Sequence, residues 1–373
     1  MEHWDLIPFA GKNGAKGKCS HPGVFSQMCY ACGEKIEEDS GGLRLGNDEL
    51  ARLRDRDVKN LLRHKKLYMI LDLDHTLLNS TGITDVTPEE EYLKNPPNYT
   101  EGSLFVLANM HIMTKLRPFV RDFLKEASSM FEMYIYTMGD SQYAAAMASL
   151  LDPKKEYFDS RVISRDESTQ KHQKGLDLVL GQESAVVILD DTEAVWSKHV
   201  DNLILIERYN FFASSCRQHK IPCKSLAELK TEESESDGIL ATVLQVLKRI
   251  HSAFFKDLAD DPADRDVRQV LKSIRSEILK GCKVVFSRVF SHHIQAETHI
   301  LWKIAEGLGA TCCTDVDPSV THVVAADAGT EKARWAVKEN KFLVNQQWIE
   351  AANFLWKRPP EENFPVNLSK TSA

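Results

Sequence analysis

The sequence predicts an α/β protein: a parallel sheet flanked by helices and carrying a small inserted β-hairpin, followed by a second, smaller α/β unit. Two apolar runs, 67–71 and 185–189, each end in acidic residues: Asp72 and Asp74 after the first, Asp190 and Asp191 after the second. Short continuous runs of this kind read as buried parallel strands. Their carboxyl ends form the edge where open α/β sheets bind ligands. A third run, 130–136, ends in Thr137, Met138, Gly139 and Asp140, and helical patterns separate the three. Between 277 and 368 strand and helix patterns alternate again.

At 373 residues, 43% hydrophobic and 27% charged, the chain has the composition of a globular protein of more than one domain. Its net charge of -7 argues against a broad nucleic-acid surface, which needs a basic excess. No run approaches membrane-spanning length, and the start M-E-H-W-D-L-I-P-F lacks a secretory pattern. Eight unevenly spread cysteines point to a reducing compartment. The short basic cluster Arg63, His64, Lys65, Lys66 reads as a solvated helix end or a nuclear-import signal.

Taken in order, the expected segments are 1–46, 47–230, 231–276, 277–368 and the tail 369–373. Residues 1–18 read as a mobile end. Cys19, His21, Cys29 and Cys32 then follow as C-x-H and C-x-x-C-G, which is either chance clustering or the four ligands of a closed structural zinc site. Residues 47–66, with early acids and late bases, predict a helix. The proline-containing stretch 84–102 reads as a surface insertion, and 104–107 with 111–116 as the inserted hairpin. Helices are expected over 117–128, 141–151 and 175–180, with a short strand and loop at 161–168 and a strand at 202–207. The acidic, serine-containing run 231–238 reads as a linker, leading to helices at 239–258 and on to about residue 279.

The chemistry starts from Asp72 and Asp74. On a strand they share a face and repel unless a divalent cation joins them, and magnesium suits such oxygen ligands. The plainer alternative is a strand cap opening a polar loop. Thr137, before a helix start, is placed to hold a phosphate oxygen beside backbone N–H groups. Lys174 is a solvated lysine in isolation.

D-L-D-H-T-L over 72–77 matches the D-x-D-x-T motif of haloacid-dehalogenase-type phosphatases, and the added leucine resembles the FCP-homology branch, which dephosphorylates the C-terminal domain (CTD) repeats of RNA polymerase II. S-R-D-E-S, K-H-Q-K-G-L-D and L-D-D-T-E-A-V-W look similar to the plant members, and the cysteine segment is similar to one that several members carry. The resemblance implies a magnesium-dependent protein serine phosphatase of the nucleus, regulating transcription. Asp72 would be the nucleophile, Asp74 the general acid and base, Thr137 a phosphate ligand and Lys174 the neutralising cation. Asp191, with Asp72 and Asp74, would hold magnesium, and Asp190 would orient Lys174 or a metal-bound water, although the adjacent acids could exchange roles. Arg117, Tyr143 and Arg165 match positions near the phosphate or peptide, each with a plain alternative as an ion-pair or core residue. The implied partners are the phosphorylated CTD and general transcription factors, without nucleic acid or membrane.

The final unit resembles a BRCT domain over 277–368, with Trp348 as a core anchor. Ser287 and Lys332, with Thr330 nearby, stand where such domains hold phosphopeptides, and Arg288 replaces the glycine usual after the hydroxyl. A docking role and a purely structural one both fit. The competing function is a catalytically silent adaptor that binds phosphorylated tails through this domain. A small-molecule phosphatase is disfavoured by the BRCT unit and by the lack of a large cap insertion.

Overall fold

The computed structural model describes residues 23–25, 28–29, 43–45, 47–97, 101–170, 172–179, 181–222, 224–256, 265–291 and 295–367. The chain divides into two compact units, residues 1–57 and 58–373. Cys19, His21 and Cys32 of the expected zinc set lie outside the described residues, and Cys29 is buried. In the first unit β1 (Gly23–Phe25), β2 (Met28–Cys29) and β3 (Leu43–Leu45) form an antiparallel sheet in the order β2-β1-β3. Helix α1 spans Asn47–Arg63, and its residues Val58, Leu61 and Leu62 enter the main core of the second unit.

Strand β4 (Leu67–Leu71) is the centre of that core, with all five residues buried. Burying an aliphatic side chain of this size contributes roughly 1.5–3 kcal/mol, which explains why an uninterrupted apolar run takes the middle of the sheet. β5 (Leu78–Gly82), β6 (Leu104–Leu107) and β7 (Ile112–Leu116) form a separate antiparallel sheet in the order β5-β7-β6. The expected hairpin is therefore a three-stranded sheet. Its extra strand, L-N-S-T-G, is not among the expected elements; in it Asn79 is buried with its amide satisfied by the Phe212 N–H (2.9 Å) and the Ser215 hydroxyl (2.8 Å).

Helix α2 (Val120–Ala127) leads into β8 (Phe131–Tyr136), and α3 (Ser141–Leu151) starts where Asp140 accepts from the Tyr143 N–H at 2.8 Å. After β9 (Val162–Ile163), the expected helix over 175–180 is a single 3₁₀ turn, Leu176–Leu178. β10 (Val186–Asp190) and β11 (Leu203–Leu205) complete a five-stranded, all-parallel sheet in the order β11-β10-β4-β8-β9. The two acid-tipped strands are therefore neighbours, and the threonine-tipped strand flanks β4 on its other side.

α4 (Ala213–Gln218) and α5 (Leu226–Leu229) precede the acidic run. That run is not a free linker. Glu232 pairs with buried Lys115 at 2.8 Å, and Glu233 grips buried Arg117 at 2.7 and 2.9 Å. The chain continues through α6 (Ile239–Phe255) and α7 (Val267–Ser276).

The last region contains β12 (Lys283–Ser287), α8 (Ile300–Gly307), β13 (Thr311–Cys313), β14 (His322–Ala325), α9 (Glu331–Lys338), β15 (Phe342–Val344) and α10 (Gln347–Leu355). Its sheet is also all-parallel, ordered β13-β12-β14-β15. Gly309, at φ +92°, is required there: a Cβ would stand 1.8 Å from the Ser276 carbonyl oxygen. This region packs on helices beside the five-stranded sheet, since Trp356 belongs to the same core cluster as residues of α6 and α7. Arg275 of α7 clamps it, donating to Asn353 at 2.7 Å and lying over the Trp356 ring.

Candidate active site

Strand β4 ends at Leu71, so Asp72 and Asp74 stand in the turn beyond it and the two-residue strand period does not govern them. The turn closes through His75, whose left-handed backbone (φ 63°) lets its N–H reach the Leu78 carbonyl at 2.8 Å. The two carboxylates consequently meet different partners. Asp72 accepts from Lys174 Nζ at 2.6 Å, whereas Asp74 accepts from the Tyr143 hydroxyl at 2.5 Å and from Thr137 Oγ1 at 3.4 Å. Tyr143 is itself bonded to Ser80 at 2.8 Å, and Thr137 accepts from the Gly139 N–H at 3.0 Å.

Lys174 also donates to Asp190 at 2.6 Å. The remaining capacity of Asp190 is taken by the Trp196 indole N–H and the Thr192 backbone N–H, both at 2.8 Å. Asp191 receives Arg208 Nε at 2.5 Å and the Thr192 hydroxyl at 3.1 Å. Oxygens of Asp72, Asp190 and Asp191 all lie within 4.8 Å of one another.

Burial works against charge at Lys174, but the carboxylates of Asp72 and Asp190 outweigh it and hold the ammonium above the usual lysine value. Burial, reinforced by Asp190, raises Asp72 against the pull of Lys174. Burial also raises Asp74, against the Tyr143 hydrogen bond. Four carboxylates face one ammonium and one guanidinium, an excess of negative charge that a divalent cation would offset. The donor set fits a hard cation: Asp190 is committed to hydrogen bonds, leaving Asp72 and Asp191 to offer oxygens. Among the described residues no backbone N–H takes the Asp74 carbonyl.

Of the sequence-predicted residues, Asp72, Asp74, Thr137, Tyr143, Lys174, Asp190 and Asp191 converge here. Arg117 does not: its guanidinium is spent on Glu233 and on the Thr76 carbonyl at 3.1 Å, over the Tyr209 ring. Arg165 is exposed, and its loop is tied to the Thr137 turn by its N–H on the Gly139 carbonyl at 2.9 Å. In the last region Ser287 donates to Thr330 at 2.8 Å, while Lys332, two residues further along, reaches the Thr314 carbonyl. Sequence reasoning missed Trp196 and Arg208. Arg208 had a signal: like the acids it follows a parallel strand at its carboxyl end.

A parallel sheet that brings two turn aspartates, a strand-end threonine, a lysine and an acidic pair to one edge has the parts of a phosphatase site. Residues 67–239 match the model of the NLI interacting factor-like phosphatases, and residues 275–352 match the BRCA1 C Terminus (BRCT) domain. The chain is 60% identical to RNA polymerase II C-terminal domain phosphatase-like 4 of Arabidopsis thaliana, over 95% of this chain and 84% of that one. It is 39% identical to phosphatase-like 3 of the same plant, over 88% of this chain and 27% of that one. The solved structure of Fcp1, an essential RNA polymerase II CTD phosphatase, superposes with a TM-score of 0.67 at 27% identity, covering 84% of this chain and all of that one. A variant of the fission yeast enzyme bound to beryllium fluoride matches equally well. The chain belongs to the family of BRCT-containing RNA polymerase II CTD phosphatases.

Proposed function

We propose that the chain is a magnesium-dependent protein serine phosphatase that removes phosphate from the C-terminal heptad repeats of RNA polymerase II, in the nucleus, through an aspartyl-phosphate. One observation carries the reading: Asp72 and Asp74, two residues apart, receive opposite partners, an ammonium at 2.6 Å for one and a phenol at 2.5 Å for the other. The Lys174 ammonium favours the anionic, nucleophilic form of Asp72 against the burial that raises it, and Asp74, also raised by burial and bonded to hydroxyls rather than to a cation, is suited to exchange a proton with substrate and water.

In the first step an Asp72 oxygen bonds to phosphorus, the bond from phosphorus to the serine oxygen breaks, and Asp74 gives its proton to that oxygen. In the second, Asp74 takes a proton from water as that water attacks phosphorus; the bond to Asp72 breaks and inorganic phosphate leaves. Lys174 and Thr137 face the charge spread over the phosphoryl oxygens. Tyr143 orients Asp74. Magnesium, held by Asp72, Asp191 and the Asp74 carbonyl, would supply further neutralisation of that charge.

The names of the relatives support the CTD as substrate. Under the same reading the BRCT region binds phosphorylated tails near Ser287, Thr330 and Lys332, general transcription factors are further partners, and Cys19, His21, Cys29 and Cys32 hold a structural zinc. The test is phosphate release from heptad phosphopeptides with magnesium, comparing wild type with Asp72→Asn. Release that falls at least ~10³-fold in the variant is expected. Phosphopeptide binding without release by the wild type would favour the silent adaptor.

A further inference from the structure

Arg208 lies just beyond β11, outside the sequence-predicted set, yet three of its nitrogens are placed. Nε donates to Asp191 Oδ2 at 2.5 Å, Nη2 to Thr192 Oγ1 at 3.0 Å, and Nη1 to His219 Nδ1 at 2.9 Å. A guanidinium only donates, so His219 Nδ1 is the acceptor. The proton of a neutral His219 then sits on Nε2, which lies 3.2 Å from His75 Nε2, with the two rings edge to face at 4.7 Å. His75 Nε2 must accept. Its own proton is on Nδ1, which faces the Tyr209 carbonyl at 3.3 Å. Asn79 Nδ2, 3.4 Å from the same nitrogen, donates instead to Ser215 at 2.8 Å. The circuit closes through the backbone, because the Tyr209 N–H donates to the His75 carbonyl at 2.8 Å.

Every donor in this ring therefore has one direction, and Arg208 sets it. The ring joins the two turns on which the proposed chemistry depends: Asp191 and Thr192 beyond β10, and Asp74 and His75 beyond β4. We propose that Arg208 is a positioning residue that aims the Asp191 carboxylate for a divalent cation and, through His219 and His75, fixes the turn carrying Asp74. This rests on the phosphatase reading of the same site. A bidentate-capable planar cation is needed for it, because a lysine could hold Asp191 but could not also reach Thr192 and His219 along the same fork. Groups orienting a metal-binding carboxylate in this way commonly change metal affinity by about 10–100-fold.

The experiment uses the full chain and Mn²⁺ as the probe ion. Mn²⁺ affinity is measured by titration, the histidine tautomers by ¹⁵N NMR of the ring nitrogens, and folding by the melting curve, for wild type, Arg208→Ala and Arg208→Lys. The expected wild-type pattern is His219 protonated on Nε2 and His75 on Nδ1. In Arg208→Ala, Mn²⁺ binding weakens about 10-fold or more and His219 loses its single tautomer. Arg208→Lys recovers part of the affinity without recovering the tautomer. Unchanged or tighter Mn²⁺ binding in a folded Arg208→Ala chain would overturn the positioning role while leaving the phosphatase reading intact. A wild type that neither binds Mn²⁺ nor releases phosphate removes both.

Discussion

The chain carries two all-parallel sheets, each with polar side chains at a strand's carboxyl end, and the two ends are wired differently. Beyond β4 and β10 the buried groups are charged: Asp72 and Asp190 share Lys174 at 2.6 Å each. Beyond β12 the buried groups are neutral, with Ser287 and Thr330 joined at 2.8 Å, and Thr330 capping α9 through the Ala333 N–H. Buried charge is costly unless paired, and it persists where reaction chemistry requires it. A neutral hydroxyl pair costs little to keep. The β4–β10 edge is therefore electrostatically fragile, and the BRCT edge is not.

Replacing Lys174 should expose that fragility most strongly. Lys174→Met leaves two buried carboxylates facing each other, and both turnover and folding are expected to suffer. A loss of about 10²–10³-fold in kcat should accompany a fall of about 3 kcal/mol in unfolding free energy by urea titration. A variant that lost activity but kept full stability would mean that the pair is not buried as a charge.

A second buried cation pair sets a smaller, purely structural effect. Arg117 has no exposed side-chain surface and depends on Glu233, which is 18% exposed. Glu233→Gln removes the countercharge and is expected to cost about 3 kcal/mol by the same titration, with turnover of the folded fraction retained. At least the same loss is expected when the acidic run 231–237 is replaced by neutral residues within the full chain, because it then no longer pairs with Lys115 and Arg117. Equal stability with and without that run would restore it to a simple linker and free Arg117 for substrate.

These two cases show what could be read from residues and what could not. The strands, their acidic tips and the order of threonine, lysine and paired acids were legible, because an apolar run ending in a carboxylate leaves a pattern within a dozen residues. The family resemblance implied different roles for Asp72 and Asp74, but their opposite hydrogen-bond partners left no local signal, because those depend on where β4 stops and on the left-handed turn at His75. Glu233 with Arg117 and Arg208 with Asp191 were illegible for a common reason. Each pairs residues far apart in sequence, and no local period reports such a contact. The acidic run looked like linker because its composition is that of a solvated segment, while the two cations that order it lie in and just after β7. The bond of Ser287 to Thr330 and the reach of Lys332 to the Thr314 carbonyl are likewise contacts that no local period reports.

In the BRCT region the buried histidine His322 has the smallest and the most specific effect. His322 is 1% exposed, stacked between Phe342 at 4.8 Å and Trp348 at 4.6 Å. Burial lowers its pKa; the Glu361 hydrogen bond opposes this, and nearby Arg358 reinforces it. The folded chain thus prefers the neutral ring, and the unfolded chain takes up the proton first as pH falls. The stabilisation is fully present above the unfolded value of about 6.5 and is lost as pH drops from there towards the lower folded value. His322→Phe keeps an aromatic ring in the stack but has no proton to bind. Urea titrations between pH 7.5 and 5.5 should therefore give wild type a steeper loss of stability than the variant. His219, also lowered by burial, titrates in both proteins and cancels in the difference. Parallel slopes would mean that His322 binds its proton equally well in the folded and unfolded chain, and a shallower wild-type slope that Glu361 holds it protonated when folded; either outcome would remove the contrast between a charged β4–β10 edge and a neutral BRCT core.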